Sequence, residues 1–376
     1  MFIGGIYGNG TCSMGASINN GNITINNTAS FDCGLWIGGM AARCPSTQDQ
    51  GLTNNGKITY SGVKCTNLRL GGIAGISGAI TSATNNGDIK IDGTFEFPTD
   101  GNYTFNVGGL IGYAGGTINT STNNGNINIS SPLVIPSTST YGNFGIAGIA
   151  ARGVVVYNTV TNTGDITVSS NIAAVPQTDG KNNYSMHPVY IAGVAGWAGA
   201  KNVTKAYNSG KITVSGTHSY TSGALHISGV YGRGSQKASF TYSNCENTGA
   251  IEVSTIMENS GPTVNIAGVS SFLSQETIKD CFNNAPIKFT GKCPVLNIGG
   301  VFTGTASNTT VFDNCDNKEN GTITVNGEIF HDENYSYVGG IMHKNKENIT
   351  LKNCENLAKI EYTNTSTVNN GAYACV

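Results

Sequence analysis

Short alternations of apolar and polar residues recur along the whole chain, and two landmarks mark their period. The first is an apolar-Gly/Ala-Gly-apolar step, as in Ile3-Gly4-Gly5-Ile6, Ile37-Gly38-Gly39-Met40, Val107-Gly108-Gly109-Leu110, Ile191-Ala192-Gly193-Val194 and Val338-Gly339-Gly340-Ile341; it occurs ten times. The second is an Asn-x-Gly-x-Ile-x-apolar turn, led by Asn19, Asn54, Asn85, Asn123, Asn162, Asn208, Asn247, Asn283, Asn317 and Asn356. Ala285 and Ala358 replace the turn glycine in two copies, and the copy from Asn317 carries extra residues before Gly321. The landmarks alternate with a mean period of about 38 residues, in the range of solenoids and propellers. The segments between them alternate in polarity and are rich in Ile, Val and Thr, which predicts strands.

Each repeat offers about three short strands, and ten blades would exceed the usual propeller. The expected fold is therefore all-β: a single-stranded parallel β-helix of about ten coils, residues 1–376 forming one continuous repeat domain. A right-handed coil is the default for parallel crossovers. Four positions before the turn Gly or Ala stand Ser17, Leu52, Ala83, Ser121, Val160, Ala206, Cys245, Cys281 and Cys354, with Cys315 in the irregular copy. Small or apolar residues in one row suit a narrow interior. The repeated turn asparagines predict an amide ladder along the axis, with the following glycine in a left-handed conformation. The step glycines predict a kink that turns both flanking apolar residues inward.

The steps and turns resemble the GLUG-type repeats of bacterial surface proteins, and the resemblance spans essentially the whole chain. It implies an exported, often adhesin-like setting and brings no catalytic residue with it.

Composition narrows the function. Charged residues are 11% and net charge is −2, against about 25% charged residues in typical proteins. Without a basic run, nucleic acid is excluded as a partner. No apolar stretch is long enough to span a bilayer. Ten cysteines permit full pairing without any CxxC motif; Cys12 with Cys44, and Cys33 with Cys375 of a following subunit, are candidate disulfides, and a row of buried thiols is the alternative. N-glycosylation sequons start at Asn9, Asn22, Asn26, Asn102, Asn119, Asn128, Asn183, Asn202, Asn308, Asn320, Asn334, Asn348 and Asn364, candidates for glycans if the chain is secreted by a eukaryote.

The first residues lead directly into a step, and Asn370–Val376 resembles the approach to another, so two chains written head to tail continue the repeat. Solenoid ends without caps expose strand edges. The expectation is a non-enzymatic extracellular structural subunit that stacks on itself into a fibre or surface filament. The alternative is a fragment of a cell-surface adhesin that binds glycan or a host protein through its uneven edge loops, of which 169–190 is longest. Tyr184, Tyr190 and Trp197 are candidate sugar contacts there, although edge-covering aromatics are the plainer reading. A polysaccharide-degrading enzyme is the remote alternative. Its carboxylate pair would be Asp316 and Glu355, weighed against a solvated acidic edge. The five histidines are scattered, and no metal or cofactor is expected. The central row of the Ile-x-Ile strands holds too many charges for an ice-binding face, and in it Glu252 and Lys288 predict an opposite-charge pair.

Overall fold

A computed structural model describes residues 1–11, 13–26, 31–45, 49–96, 103–136, 142–153, 155–175, 188–198, 202–220, 223–233, 240–272, 276–304, 310–330, 335–343 and 349–366. The chain is an all-β parallel solenoid of about eight turns of about 37 residues, with no helix among the described residues. The motif count gives ten coils. All ten copies stack, but the first and last have a neighbour on one side only, which leaves eight enclosed.

Most coils carry four main strand columns rather than the three expected, some with a further short strand such as Leu133–Pro136 after the fourth, and the last coils keep only isolated bridges in the second column. In the fourth repeat the four columns are Tyr103–Gly108, Ile111–Ala114, Ile118–Asn123 and Ile127–Ile129. The first two are separated only by the step, so in the sequence they read as one strand. Every column pairs in parallel with the same column of adjacent coils: Val107 with Leu70 and Ile146, Ile111 with Ala74 and Ala150, Asn123 with Asn85 and Asn162, Ile127 with Ile89 and Ile166. Like stacks on like.

The interior is two hydrophobic lobes. The first and fourth columns close on one of them, through residues such as Phe105, Val107, Ile127 and Ile129. The second and third columns close on the other, through Leu110, Ile111, Ile118 and the small-residue row of Leu52, Ala83, Val160, Ala206, Cys245, Cys281 and Cys315. The chain bends at the step, so both flanking apolar residues turn inward but into different lobes: Ile37 into the first and Met40 into the second. Each fully buried Ile or Val contributes roughly 1.5–3 kcal/mol, repeated coil after coil.

The turn glycines do not take the left-handed conformation expected of them; among the described glycines only Gly10, Gly51, Gly93, Gly216 and Gly223 have positive φ. Glycine is favoured in the turn by close approach. A Cβ on Gly125 would run into the carbonyl oxygen of Gly87 in the coil before. Left-handed residues stand three positions before each ladder asparagine from Asn54 to Asn356. They are Gly51, then Ser82, Thr120, Thr159, Lys205, Asn244, Asp280, Asn314 and Asn353, the non-glycine φ angles running from 45° to 58°. They form a stacked bulge. One extra residue in the third column lets both Ile118 and Ser121 face inward, three positions apart.

Candidate functional site

Two arrangements run the length of the solenoid, one inside it and one along a crease on its surface. The inner one is built from the turn asparagines. Nδ2 of each donates to Oδ1 of the next, from Asn19 to Asn356, in nine hydrogen bonds of 2.8–2.9 Å. The second N–H of each amide is turned to a carbonyl of its own turn, Asn123 Nδ2 to Gly125 O at 2.8 Å for example. Asn54, Asn85, Asn123 and Asn162 are fully buried, so these bonds satisfy groups that water cannot reach. The ladder fills the waist between the two lobes, directly opposite the second glycine of each step. An outer ladder of opposite polarity covers the N-terminal turns: Asn55 donates to Asn20, Asn86 to Asn55, Asn124 to Asn86 and the Thr163 hydroxyl to Asn124, each at 2.8 Å.

The crease lies where the chain folds back at the step, between the outer faces of the first and second columns. Arg69 lies over the Tyr113 ring at 5.0 Å, and Arg152 over the same ring at 5.6 Å. Arg152 lies over Trp197 at 4.4 Å, Arg233 over Trp197 at 5.6 Å and over Phe272 at 5.4 Å. Cation and ring thus alternate without a break, the second-column members in register from Tyr113 through Arg152 and Trp197 to Arg233. Behind them, Tyr190 accepts a hydrogen bond from Arg233 at 3.4 Å and stacks on His226 at 4.9 Å. Burial holds the Arg69 and Arg152 guanidiniums below the ordinary arginine value, with Tyr113 working against the shift. The chain has four arginines, and Arg43 in the adjoining coil is the fourth. Among the described residues no carboxylate pairs with any of them. Unpaired donors accumulate nearby: Trp36 Nε1, Arg69 Nε and Asn106 Nδ2 are buried without an acceptor, on register partners in three successive coils. Farther along the first column, Thr263, Asn297, Tyr335, Tyr337 and His343 line a shallow pocket.

This crease was missed in the sequence, although a signal exists. Arg43, Tyr113, Arg152, Trp197, Arg233 and Phe272 each stand four residues after the second step glycine. Trp197 and Tyr190, expected to be edge-loop aromatics, both belong to the crease.

The other sequence candidates fall elsewhere. Asp316 is engaged at both oxygens, accepting from the Glu355 backbone N–H at 2.9 Å and from Lys318 at 2.5 Å. Glu252 pairs with Lys211 at 2.7 Å rather than with Lys288; both partners are solvated, so the pair contributes little. Asn9, Asn22, Asn26, Asn128, Asn202 and Asn320 are exposed, while Asn119 and Asn364 are half-buried. Asn22 Oδ1 accepts the Lys57 backbone N–H at 2.9 Å, and Asn202 Oδ1 that of Thr241 at 3.0 Å. Asn102, Asn183, Asn308, Asn334 and Asn348 lie outside the described residues, as do Tyr184, Cys12 and Cys375.

No disulfide is found among the described residues. Asn9 is in register with Arg43, which brings Gly10 level with the buried Cys44. The side chain of Cys33 is likewise outside the description. Cys245, Cys281 and Cys315 form a column of buried free thiols. In-register strands are about 4.8 Å apart, wider than the usual Cβ separation of a disulfide. Among the described residues there is no His/Cys/Asp/Glu group suited to a metal ion, and no helix is long and apolar enough to cross a membrane.

No family model, curated protein or solved structure matches the chain.

Proposed function

We propose that the chain is a structural β-solenoid subunit, extracellular and non-enzymatic, that stacks head to tail on further copies of itself. The observation that carries this reading is the polarity of the inner ladder. At the first described coil, Asn19 Oδ1 accepts the Gly21 N–H but no amide from a preceding coil. At the last, Asn356 Nδ2 donates to Ala358 O and, among the described residues, to no following asparagine. One end thus offers an acceptor and the other a donor at the same place in the cross-section. Exposed apolar side chains accompany them, Phe2, Ile6 and Ile18 at one end and Leu351 and Leu357 at the other. A second copy would satisfy both sets without altering either, and a heterologous contact of this kind does not close. The extracellular setting rests on the resemblance to GLUG repeats; the free thiols lend it no support.

Negative-stain imaging and sedimentation of the purified protein over a concentration series test the proposal. Rods that lengthen with concentration, and that shorten when Ile18→Lys puts a charge on the end face, are expected. Discrete monomers at high concentration overturn it. A second reading, a cell-surface adhesin, is favoured by the crease rather than by the edge loops.

A further inference from the structure

The crease presents a regular array of fixed positive charge. Arg69, Arg152 and Arg233 belong to the third, fifth and seventh coils, with an aromatic ring between each pair. At one strand spacing per coil, neighbouring guanidiniums stand about 10 Å apart along the axis. The rings cover the faces of the guanidiniums and hold them in place. Arg233 gives one N–H to Tyr190 and Arg69 Nε is buried; the remaining N–H groups belong to half-buried side chains, and a guanidinium edge matches a carboxylate or sulfate in a bidentate fork. All the arginines of a chain of net charge −2 gather here with no carboxylate beside them among the described residues. Such a concentration of charge without counter-charge is costly to desolvate unless an anion completes it.

We propose that the crease binds an acidic polysaccharide lying along the solenoid axis, with Arg69, Arg152 and Arg233 each taking one anionic group. The spacing selects this ligand. A pyranose chain advances by about one strand spacing per ring, so an anion on every second sugar meets every second coil. Duplex nucleic acid presents a phosphate about every 3.4 Å on each strand, so two of every three phosphates would meet no arginine. An extended peptide advances by about 3.3 Å per residue and would need an acid at every third position.

The test is a binding titration of the intact protein with hyaluronan oligosaccharides, which carry one carboxylate per disaccharide, followed by tryptophan fluorescence. Dextran and poly-L-glutamate serve as comparison polymers. Hyaluronan is expected to perturb the emission and to bind more weakly as salt rises, while dextran gives no response. Trp197→Phe removes most of the signal, which assigns the emission change to the crease. Arg152→Gln with Arg233→Gln weakens binding about tenfold or more, the scale expected for lost charge-assisted hydrogen bonds. Arg152→Lys, which keeps the charge and loses the fork, weakens it by less. If the double variant does not fold by circular dichroism, Arg152→Lys and the salt series on the native protein decide the matter. The proposal is overturned by absence of hyaluronan binding at low salt, by equal binding of dextran or poly-L-glutamate, or by a folded double variant that binds like the native protein.

Discussion

Gly109 and Asn123 face each other across the waist of one coil, and a Cβ on Gly109 would overlap the Asn123 carboxamide. The two landmarks of the repeat are therefore the two halves of one contact. The asparagine needs room to reach the next coil, and the glycine supplies it.

A direct consequence concerns Gly109→Ala. The added methyl meets the Gly148 carbonyl as well as Asn123, and backbone has little freedom to yield. The expected loss is about 3 kcal/mol, the upper part of the overpacking range. Thermal unfolding followed by circular dichroism measures it. A melting temperature unchanged from the native protein would show that the waist is looser than the geometry indicates.

Asn123→Ala tests the ladder from the other side. It strands the Asn85 amide and the Asn162 oxygen, which Asn123 now satisfies at 2.8 Å each. A buried group left unpaired costs about 1–3 kcal/mol, so a loss of about 2–5 kcal/mol is expected in the same assay. The corresponding change at the exposed Asn124, in the outer ladder, should cost well under 1 kcal/mol, because water replaces the lost partner. Equal effects at the two positions would contradict the distinction.

The parts of the fold that were legible in the sequence are those whose chemistry allows one residue type. The ladder requires a small side chain that both donates and accepts, so asparagine recurs at every turn. The waist requires the absence of a Cβ, so the second step glycine recurs opposite it. The crease was hidden because its rows hold Arg, Tyr, Trp and Phe in alternation and on two columns, which reads as variation when copies are compared for likeness. The bulge was hidden for a similar reason: Ser82, Thr159, Lys205 and Asp280 share a backbone conformation, not a side chain. The small-residue row that follows the bulge was visible because its position, not its identity, is fixed relative to the turn.

That bulge offers a stabilising substitution. Thr159 is exposed and β-branched yet sits at a φ of 54°, where such residues are strained. Asparagine occupies the equivalent place at Asn244, Asn314 and Asn353. Thr159→Asn should raise stability by about 1 kcal/mol, the order of the left-handed penalty. A melting temperature at or below that of the native protein would refute this.

The buried thiols make a kinetic prediction. Burial pushes the Cys293 thiol up, and it does the same at Cys281, helped by Cys245. Since the thiolate is the reactive form, these residues should resist alkylation in the native protein at neutral pH. Cys354 is less buried, although its thiol is also raised by desolvation, and should be labelled ahead of them. Mass spectrometry of peptides after timed alkylation gives the order, and early labelling of Cys281 would show that the coils open more readily than their packing implies.

Acid sensitivity follows from two buried histidines. Burial lowers His218 to about 4, against a raising hydrogen bond from the Ser170 backbone. His226 is likewise lowered to about 4 by burial, with Ser271 raising it and Arg233 lowering it. Both are neutral in the folded protein at pH 5, whereas the unfolded chain protonates them near 6.5. Between these values the unfolded state holds more protons, so stability falls as pH drops from about 6.5 to about 4 and levels off below, where both states are charged. Each histidine contributes on the order of 3 kcal/mol across that window. His226 stacks on Tyr190 within the crease, so His226→Gln should flatten the pH dependence of unfolding by about half while His218 supplies the rest. Urea titrations at pH 4, 5, 6 and 7 read the slope directly. A native protein whose stability does not change across that range would mean that neither ring is held neutral by the fold.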